Sequence, residues 1–191
     1  MILGITGGTG CGKTTLLELI RQAGGVVLDC DAIYHDLLRR DKALLEAIEA
    51  RFPGTVEDGS LQRKKLGAIV FGDPAALEDL NRITHSAIDR EVQRLLTPEP
   101  KLAAIDAIAL LESGIGKRCH VTVAVTAPTE ARVARIMARD GITEEYARSR
   151  ILAQPSNAYF SENCDYTLEN AGSAGDFQCK GLAFLRQFAI I

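Results

Sequence analysis

Short, nearly continuous apolar runs recur along this chain and alternate with stretches in which apolar residues return every three or four positions. Runs of the first kind are typical of strands covered on both faces of a parallel sheet, and the second spacing is typical of helices. The sequence therefore predicts an α/β fold with a five-stranded parallel sheet flanked by helices. The predicted strands are residues 2–6, 26–29, 102–106, 121–125 and 166–168.

Most of the helical spacing falls between the second and third predicted strands. It predicts one helix over about residues 32–51, a polar break between 53 and 60, and further helices through 61–70 and 77–88. A closing helix is predicted at 174–188. The chain is therefore interpreted as one α/β unit with a largely helical insertion.

A glycine-rich segment joins the first predicted strand to the first predicted helix. Residues 7–14 fit the phosphate-loop pattern G-x-x-x-x-G-K-[ST]. Its glycines let backbone N–H groups approach phosphate oxygens, and the helix start adds the positive end of its dipole. A chance glycine-rich turn is the alternative, but the flanking strand and helix favour a P-loop NTPase fold that binds a nucleoside triphosphate. The predicted phosphate ligands are Gly8, Thr9, Gly10, Cys11, Gly12, Lys13, Thr14 and Thr15, with Lys13 reaching the β- and γ-phosphates and Thr14 binding Mg²⁺.

Two aspartates follow predicted strands at the sheet edge where ligands bind in this class of fold. Asp31 lies just past the second strand, where it can accept a proton from an attacking hydroxyl or cap the next helix. Its position in the sequence does not decide between these two roles. Asp29 is the less favoured base, because alternation turns it to a different side. Asp106 ends the third strand, where a carboxylate can hold Mg²⁺ directly or through water, or serve as a cap or turn residue.

An arginine-rich segment occupies residues 130–154. A kinase needs mobile cations over the transferred phosphoryl group, and arginine without lysine favours bidentate phosphate contacts. The alternative is a solvated helix face paired with Glu130, Glu144 and Glu145. A lid is the favoured interpretation. The arginines are Arg132, Arg135, Arg139, Arg148 and Arg150.

Composition narrows the possible partners and location. The 191 residues suit one core, and the net charge of −3 with 5% aromatic residues argues against a nucleic-acid-binding protein. Five scattered cysteines suit reduced thiols in a cytoplasmic protein better than disulfides or a zinc site. We expect no signal peptide before the first strand, no membrane partner and a monomer or weak homo-oligomer.

Taken together, these segments resemble the dephospho-coenzyme A kinase family over nearly the full length. The family's glycine loop is matched at residues 5–15, and its D-A-D after the second strand at Asp29-Cys30-Asp31. The later blocks are more diagnostic. They are G-x-L-D-R-x-x-L-G-x-I-V-F at 59–71, L-N-x-I-T-H-P at 80–86, R-L-x-x-R-D-G then R-I-x-A-Q at 135–141 and 150–154, and A-D-x-x-I-x-N at 164–170.

The resemblance implies transfer of the ATP γ-phosphate to the ribose 3′-hydroxyl of dephospho-CoA, with ATP and Mg²⁺ as cofactors. It also implies three parts. Residues 1–30, 99–129 and 156–191 would form the nucleotide-binding core, 31–98 the helical CoA-binding region, and 130–155 the lid.

Residue roles carry over position by position. Asp31 would be the base, with Lys13 and Arg139 as the other catalytic residues and Arg139 in the lid. Without the resemblance, His85 would be interpreted as a structural residue, because a lone His in a helix is more often structural than catalytic. Arg63 would be interpreted as a solvated helix residue. The implied dephospho-CoA-binding residues are Asp31, Arg63, His85 and Asp106.

The chain departs from the family pattern without losing Lys13, Thr14 or Asp31. Residues 106–112 lack the proline and phenylalanine of D-x-P-L-L-F-E. A related P-loop kinase with another small acceptor stays open, as do a relative that binds CoA-like ligands without turnover and a nucleotide-binding regulatory protein with weak hydrolysis. A GTPase would be expected to carry an N-K-x-D segment, which does not occur. The single-residue departures are Gln62 for Asp, Ser86 for Pro, Arg132 for Gln and Phe160 for Lys.

Overall fold

The structure is a computed structural model that describes residues 1–188 and 190. The chain divides into two compact units. The first comprises Met1–Leu28 and Glu99–Ile191, and the second comprises Asp29–Pro98. The strands are β1 Ile2–Thr6, β2 Val26–Asp29, β3 Val56–Glu57, β4 Ser60–Leu61, β5 Ala103–Asp106, β6 Val121–Thr126 and β7 Tyr166–Glu169. The helices are α1 Lys13–Gln22, α2 Cys30–Arg40, α3 Lys42–Arg51, α4 Arg63–Val70, α5 Pro74–Leu96, α6 Thr129–Asp140, α7 Glu144–Leu152, α8 Asn157–Asn163 and α9 Ala174–Gln187, with a 3₁₀ turn at Ile115–Arg118.

The main sheet is the five-stranded parallel sheet that the apolar runs predicted. Its strand order is β2-β5-β1-β6-β7. The central strand β1 pairs with β5 on one side and with β6 on the other, both in parallel. Leu3 and Ile5 on one face of β1 and Thr6 on the other are all fully buried, so both faces of the strand are covered. The predicted α/β fold is confirmed.

The register of the sheet positions the glycine loop. Ile5 of β1 lies opposite Asp106 of β5, so both strands end at the same edge of the sheet. The Thr6 hydroxyl donates to the carbonyl of Ile108 at 3.1 Å, which ties the two strand ends together. Leu16 and Ile20, on the apolar face of α1, are buried in the same core. The loop between β1 and α1 is therefore anchored at both of its ends.

The second unit differs from the sequence prediction in two places. The single helix predicted over 32–51 is wrong, because the chain is extended at Asp41 (φ −90°, ψ 94°) and α2 ends there. The Asp41 side chain accepts a hydrogen bond from Leu44 N at 3.1 Å and so starts α3. The predicted break near 57–60 is instead a small antiparallel hairpin of β3 and β4. Its turn residues Asp58 and Gly59 have φ of 50° and 71°, the left-handed region typical of tight hairpin turns.

All five cysteines lie in the described part of the chain. None of them is in a disulfide, and Cys11 and Cys30 are buried. Among the described residues, no helix combines the length and the apolar character needed to cross a membrane.

Candidate active site

The glycine loop ends at the N-terminus of α1, where the N-cap residue is a glycine. Gly12 is the N-cap residue of α1 and has φ 96°, a conformation that favours glycine. Among the described residues, no side chain accepts a hydrogen bond from the first turn of α1 at this cap. The first N–H groups of a helix need an acceptor, and a phosphate group satisfies them while meeting the positive end of the dipole. The start of α1 is therefore suited to bind an anion.

Lys13 lies in the first turn of this helix and turns back over the loop. Its Nζ donates to the carbonyl of Gly7 at 2.9 Å, and the side chain is only partly buried. Thr14 follows it and is exposed. Burial raises the pKa of the Cys11 thiol in the same loop, and the charge of Lys13 acts in the opposite direction.

Two side chains from later in the chain hold the first half of the loop. Arg132 Nε donates to the carbonyl of Thr9 at 2.8 Å, and the amide N–H of Thr9 donates to Gln154 Oε1 at 2.8 Å. The guanidinium lies against Gly8, where any Cβ would overlap it. This close approach explains why glycine is needed at position 8 as well as at the helix cap.

The second half of the loop is held from the end of the sheet. Asn170 follows β7, and its Nδ2 donates to the carbonyl of Cys11 at 3.0 Å. Arg135 Nη1 donates to the carbonyl of Gly10 at 3.3 Å, and its Nη2 donates to Asn170 Oδ1 at 3.1 Å. A Cβ at Gly12 would overlap the Asn170 amide. Carbonyl groups on this side of the loop are thus engaged by donors.

The sequence prediction missed the role of these four side chains. Arg132 and Arg135 were predicted as lid cations. Gln154 and Asn170 were matched to the family blocks, but no role was predicted for them. A signal did exist, since Gln154 and Asn170 are the last residues of those blocks. The blocks do not indicate which residues these side chains contact. Thr9 lies 145 residues from Gln154, and Cys11 lies 159 residues from Asn170.

The remaining arginines of the segment lie at the surface. Hydrogen bonds from Arg139 and then from Arg150 hold the pKa of the Asp140 carboxyl well below its usual range. Arg139 also reaches the hydroxyl of Thr9, with 3.5 Å between Nη2 and Oγ1. Arg148 instead pairs with glutamates at 130 and 144, which is the solvated-face alternative for that residue.

Asp106 is brought to the same edge of the sheet as the loop. It ends β5 opposite Ile5, and its Oδ1 atom is buried. Its charge contributes to the raised pKa of Cys11, although burial is the larger cause. Among residues 1–188 and 190, no group of three or more His, Cys, Asp or Glu side chains could hold a metal ion by itself.

The second unit contains the other predicted site residues. Asp29 caps α2 by accepting from Ala32 N at 3.0 Å, so the cap is Asp29 and not Asp31, which is exposed in the first turn. Arg63 starts α4, with its Nη2 3.2 Å from His35 Nδ1. Burial raises the pKa of the Tyr34 hydroxyl, and the charge of Arg63 opposes this shift. His85 is half-buried in the middle of α5.

An open cavity lies beside Arg63 within the second unit. Its volume is about 450 Å³, and its wall is mostly polar. The lining residues are His35, Leu38, Arg39, Gly59, Ser60, Leu61 and Arg63.

Comparison with known proteins assigns the family. The sequence model of the dephospho-CoA kinase family matches residues 1–176. A dephospho-CoA kinase of Brucella abortus is 35% identical over 182 residues, which is 93% of this chain and 90% of that protein. The chain belongs to the dephospho-CoA kinase family. Membership identifies it as an enzyme with this kinase activity, and a kinase with a phosphate-loop fold uses ATP.

Solved structures agree with this assignment. A crystal structure of a Thermus thermophilus protein is 36% identical with a TM-score of 0.81, and the match covers 98% of this chain and 97% of that one. A dephospho-CoA kinase of Campylobacter jejuni is 25% identical with a TM-score of 0.69, covering 98% and 96%. A shikimate kinase of Bacteroides thetaiotaomicron, at 14% identity and a TM-score of 0.60, shares the fold alone. The predicted P-loop kinase fold is confirmed.

Proposed function

We propose that this chain transfers the γ-phosphate of ATP to the ribose 3′-hydroxyl of dephospho-CoA and so produces coenzyme A. The observation that carries the proposal is the start of α1, where a helix N-terminus with a glycine N-cap, Lys13 and a glycine loop held by distant side chains occur together. Family membership supports dephospho-CoA as the acceptor.

At the nucleotide end, the main-chain N–H groups of residues 8–15 bind the phosphates of ATP. Lys13 exchanges its hydrogen bond to the Gly7 carbonyl for the β- and γ-phosphates, since an anion is a stronger partner for an ammonium group than a neutral carbonyl. Thr14 and Asp106 would hold Mg²⁺, the latter through water, because hydroxyl and carboxylate oxygens are the hard ligands that this ion prefers. When bound, Mg²⁺ neutralises charge on the transferred group.

At the acceptor end, Asp31 accepts the proton of the attacking 3′-hydroxyl. Its exposed position in the first turn of α2 leaves its carboxylate accessible, because Asp29 already serves as the cap. Arg63 and His85 bind dephospho-CoA, and the polar cavity beside Arg63 supports an anionic ligand there. Residues 31–98 form the acceptor-binding region in this proposal. Residues 130–155 form the lid, from which Arg139 stabilises charge on the transferred phosphoryl group.

The test is ADP release in the presence of ATP and Mg²⁺, with and without dephospho-CoA. We expect strong stimulation by dephospho-CoA. Lys13→Ala should abolish it, whereas Lys180→Ala, which removes a surface lysine bonded to the Glu169 carbonyl, should not. Asp31→Asn should greatly reduce turnover while ATP affinity stays unchanged.

Two outcomes would overturn the proposal. Release that ignores dephospho-CoA but responds to another hydroxyl acceptor would indicate a related kinase. Slow release that no acceptor stimulates would indicate a regulatory nucleotide-binding protein.

The cytoplasmic location and the monomeric or weakly oligomeric state complete the proposal. Five cysteines outside any disulfide support a reducing compartment. Light scattering over a range of protein concentrations would test the oligomeric state, and a concentration-independent dimer would contradict it.

A further inference from the structure

Arg132 is a buried cation in α6 whose acceptors in the described part of the chain are all neutral. Its residue is 2% exposed, and burial lowers the pKa of its guanidinium. Besides Thr9, it donates through Nη2 to Gln154 Oε1 at 3.1 Å and through Nη1 to Asn157 Oδ1 at 3.5 Å. Burying a charge is costly unless it is paired or fully hydrogen-bonded. The burial of the Arg132 guanidinium therefore requires an explanation.

The contacts of Arg132 and Gln154 converge on one residue. Gln154 Oε1 accepts from both the Thr9 N–H and Arg132 Nη2, while Arg132 Nε donates to the Thr9 carbonyl. The three hydrogen bonds close a ring that engages both main-chain groups of Thr9. The guanidinium also lies against Gly8, in the space that a Cβ at this residue would occupy.

We propose that Arg132 and Gln154 form a clamp that holds Thr9 in the conformation the phosphate loop needs before ATP binds. The clamp keeps the Thr9 carbonyl turned toward Arg132, so that no carbonyl oxygen turns into the anion site. Arg132 is a positioning residue for ATP, and this role rests on the proposed binding of ATP at the loop.

The planar fork is what distinguishes arginine from other residues here. Two parallel directions of donation reach Thr9 O and Gln154 Oε1 together, and the single ammonium group of lysine cannot reproduce them. The charge contributes as well, because a triphosphate in the loop is the anion that a desolvated cation favours. Losing the clamp would leave the loop to be ordered on binding, and that cost weakens ATP affinity.

The experiment measures the dissociation constants of ATP and of dephospho-CoA by calorimetry, together with the melting temperature. Arg132→Met and Arg132→Lys should each weaken ATP binding about tenfold, the loss expected for one charge-assisted hydrogen bond. Dephospho-CoA binding should stay within about twofold. Arg21→Met is the matched control, because Arg21 pairs only with Glu18 at the surface of α1 among the described contacts, and it should change neither constant.

Two further measurements separate positioning from folding. Gln154→Ala removes the other half of the clamp from a half-buried position, so it tests the proposal even if the Arg132 variants fold poorly. The double variant Arg132→Met/Gln154→Ala should bind ATP no more weakly than Arg132→Met alone, because both residues hold Thr9. Methylguanidinium should restore ATP binding to Arg132→Ala, and methylammonium should not.

Specific results would overturn the clamp. They are an Arg132→Lys enzyme with the ATP affinity of the parent chain, strictly additive losses in the double variant, or equal weakening of ATP and dephospho-CoA. The proposed function is tested separately. If the Arg132 variants lose ATP affinity as expected but the parent chain does not phosphorylate dephospho-CoA, the clamp is supported and the acceptor is refuted. If the parent chain phosphorylates dephospho-CoA but Arg132→Met binds ATP as tightly as the parent chain, the proposed function is supported and the clamp is refuted.

Discussion

The side-chain amide of Asn170 donates to the carbonyl of Cys11 across 3.0 Å, although 159 residues separate them in sequence. Asn170 is 5% exposed, and its own N–H donates to the carbonyl of Thr126 at the end of β6 at 2.8 Å. The contact therefore fixes the second half of the phosphate loop to the carboxyl edge of the sheet.

Replacing Asn170 by alanine should weaken both the fold and ATP binding. The change leaves the buried Cys11 carbonyl without its donor and removes an acceptor of Arg135, a loss of about 1–3 kcal/mol for a buried polar group. We expect a comparable fall in the free energy of unfolding and about a tenfold weaker ATP affinity, measured by urea unfolding and calorimetry. Asn163→Ala, which removes a surface bond to the Tyr159 carbonyl, is the control. Equal effects of the two variants would contradict the assignment.

Gly8→Ala tests how closely the Arg132 guanidinium approaches the loop. A Cβ at Gly8 would overlap this guanidinium, so the guanidinium, the loop or α6 must shift. We expect ATP binding to be lost or weakened at least tenfold, as measured by calorimetry. Gly72→Ala is the matched change, because a Cβ there would meet nothing within 4 Å, and it should bind ATP normally. Normal binding by Gly8→Ala would show that the guanidinium moves away without cost.

Phe160, where the family resemblance implies lysine, is fully buried in α8. Phe160→Ala should lower the free energy of unfolding by about 3–5 kcal/mol, the usual cost of emptying a large core site. Phe160→Lys should be at least as harmful, since it buries a cation in a space shaped for a ring. Phe71 is 87% exposed, so Phe71→Ala should change stability by less than about 0.5 kcal/mol. Urea unfolding measures all three, and a stable Phe160→Lys protein would contradict the packing argument.

The ion pairs of Asp140 predict a pH-dependent contribution to stability. Hydrogen bonds from Arg139 and Arg150 lower the pKa of Asp140 below its ordinary value of about 3.9. The stabilisation is therefore present above that value and is lost as the pH falls through the folded-state pKa. Asp140→Asn should lower the free energy of unfolding at pH 7, and the difference from the parent chain should shrink at about pH 3 and below. Urea unfolding at the two pH values measures this, and a difference that does not change with pH would refute the ion-pair origin.

Much of the fold was predictable because its signals are local. A strand buried on both faces must be apolar throughout, and this located β1, β5 and β6, which are largely buried, to within a residue. The edge strands β2 and β7 are more exposed, and short β-prone segments located them equally well. The glycine loop was predictable for the same reason, since its spacing reflects backbone geometry within eight residues. The break at Asp41 was missed because apolar spacing continues on both sides of it, and only the capping bond to Leu44 reveals where one helix ends.

By itself, the sequence determined that a parallel sheet carries a phosphate loop at the head of α1, and it indicated the family through blocks spread along the chain. Only the tertiary structure decided how the loop is held. The partners of Thr9 and Cys11 come from 123 to 159 residues away, and hydrogen bonds over such separations leave no periodicity in the sequence. The structure likewise assigned the helix cap to Asp29 and left Asp31 exposed, because that choice depends on backbone direction at one turn.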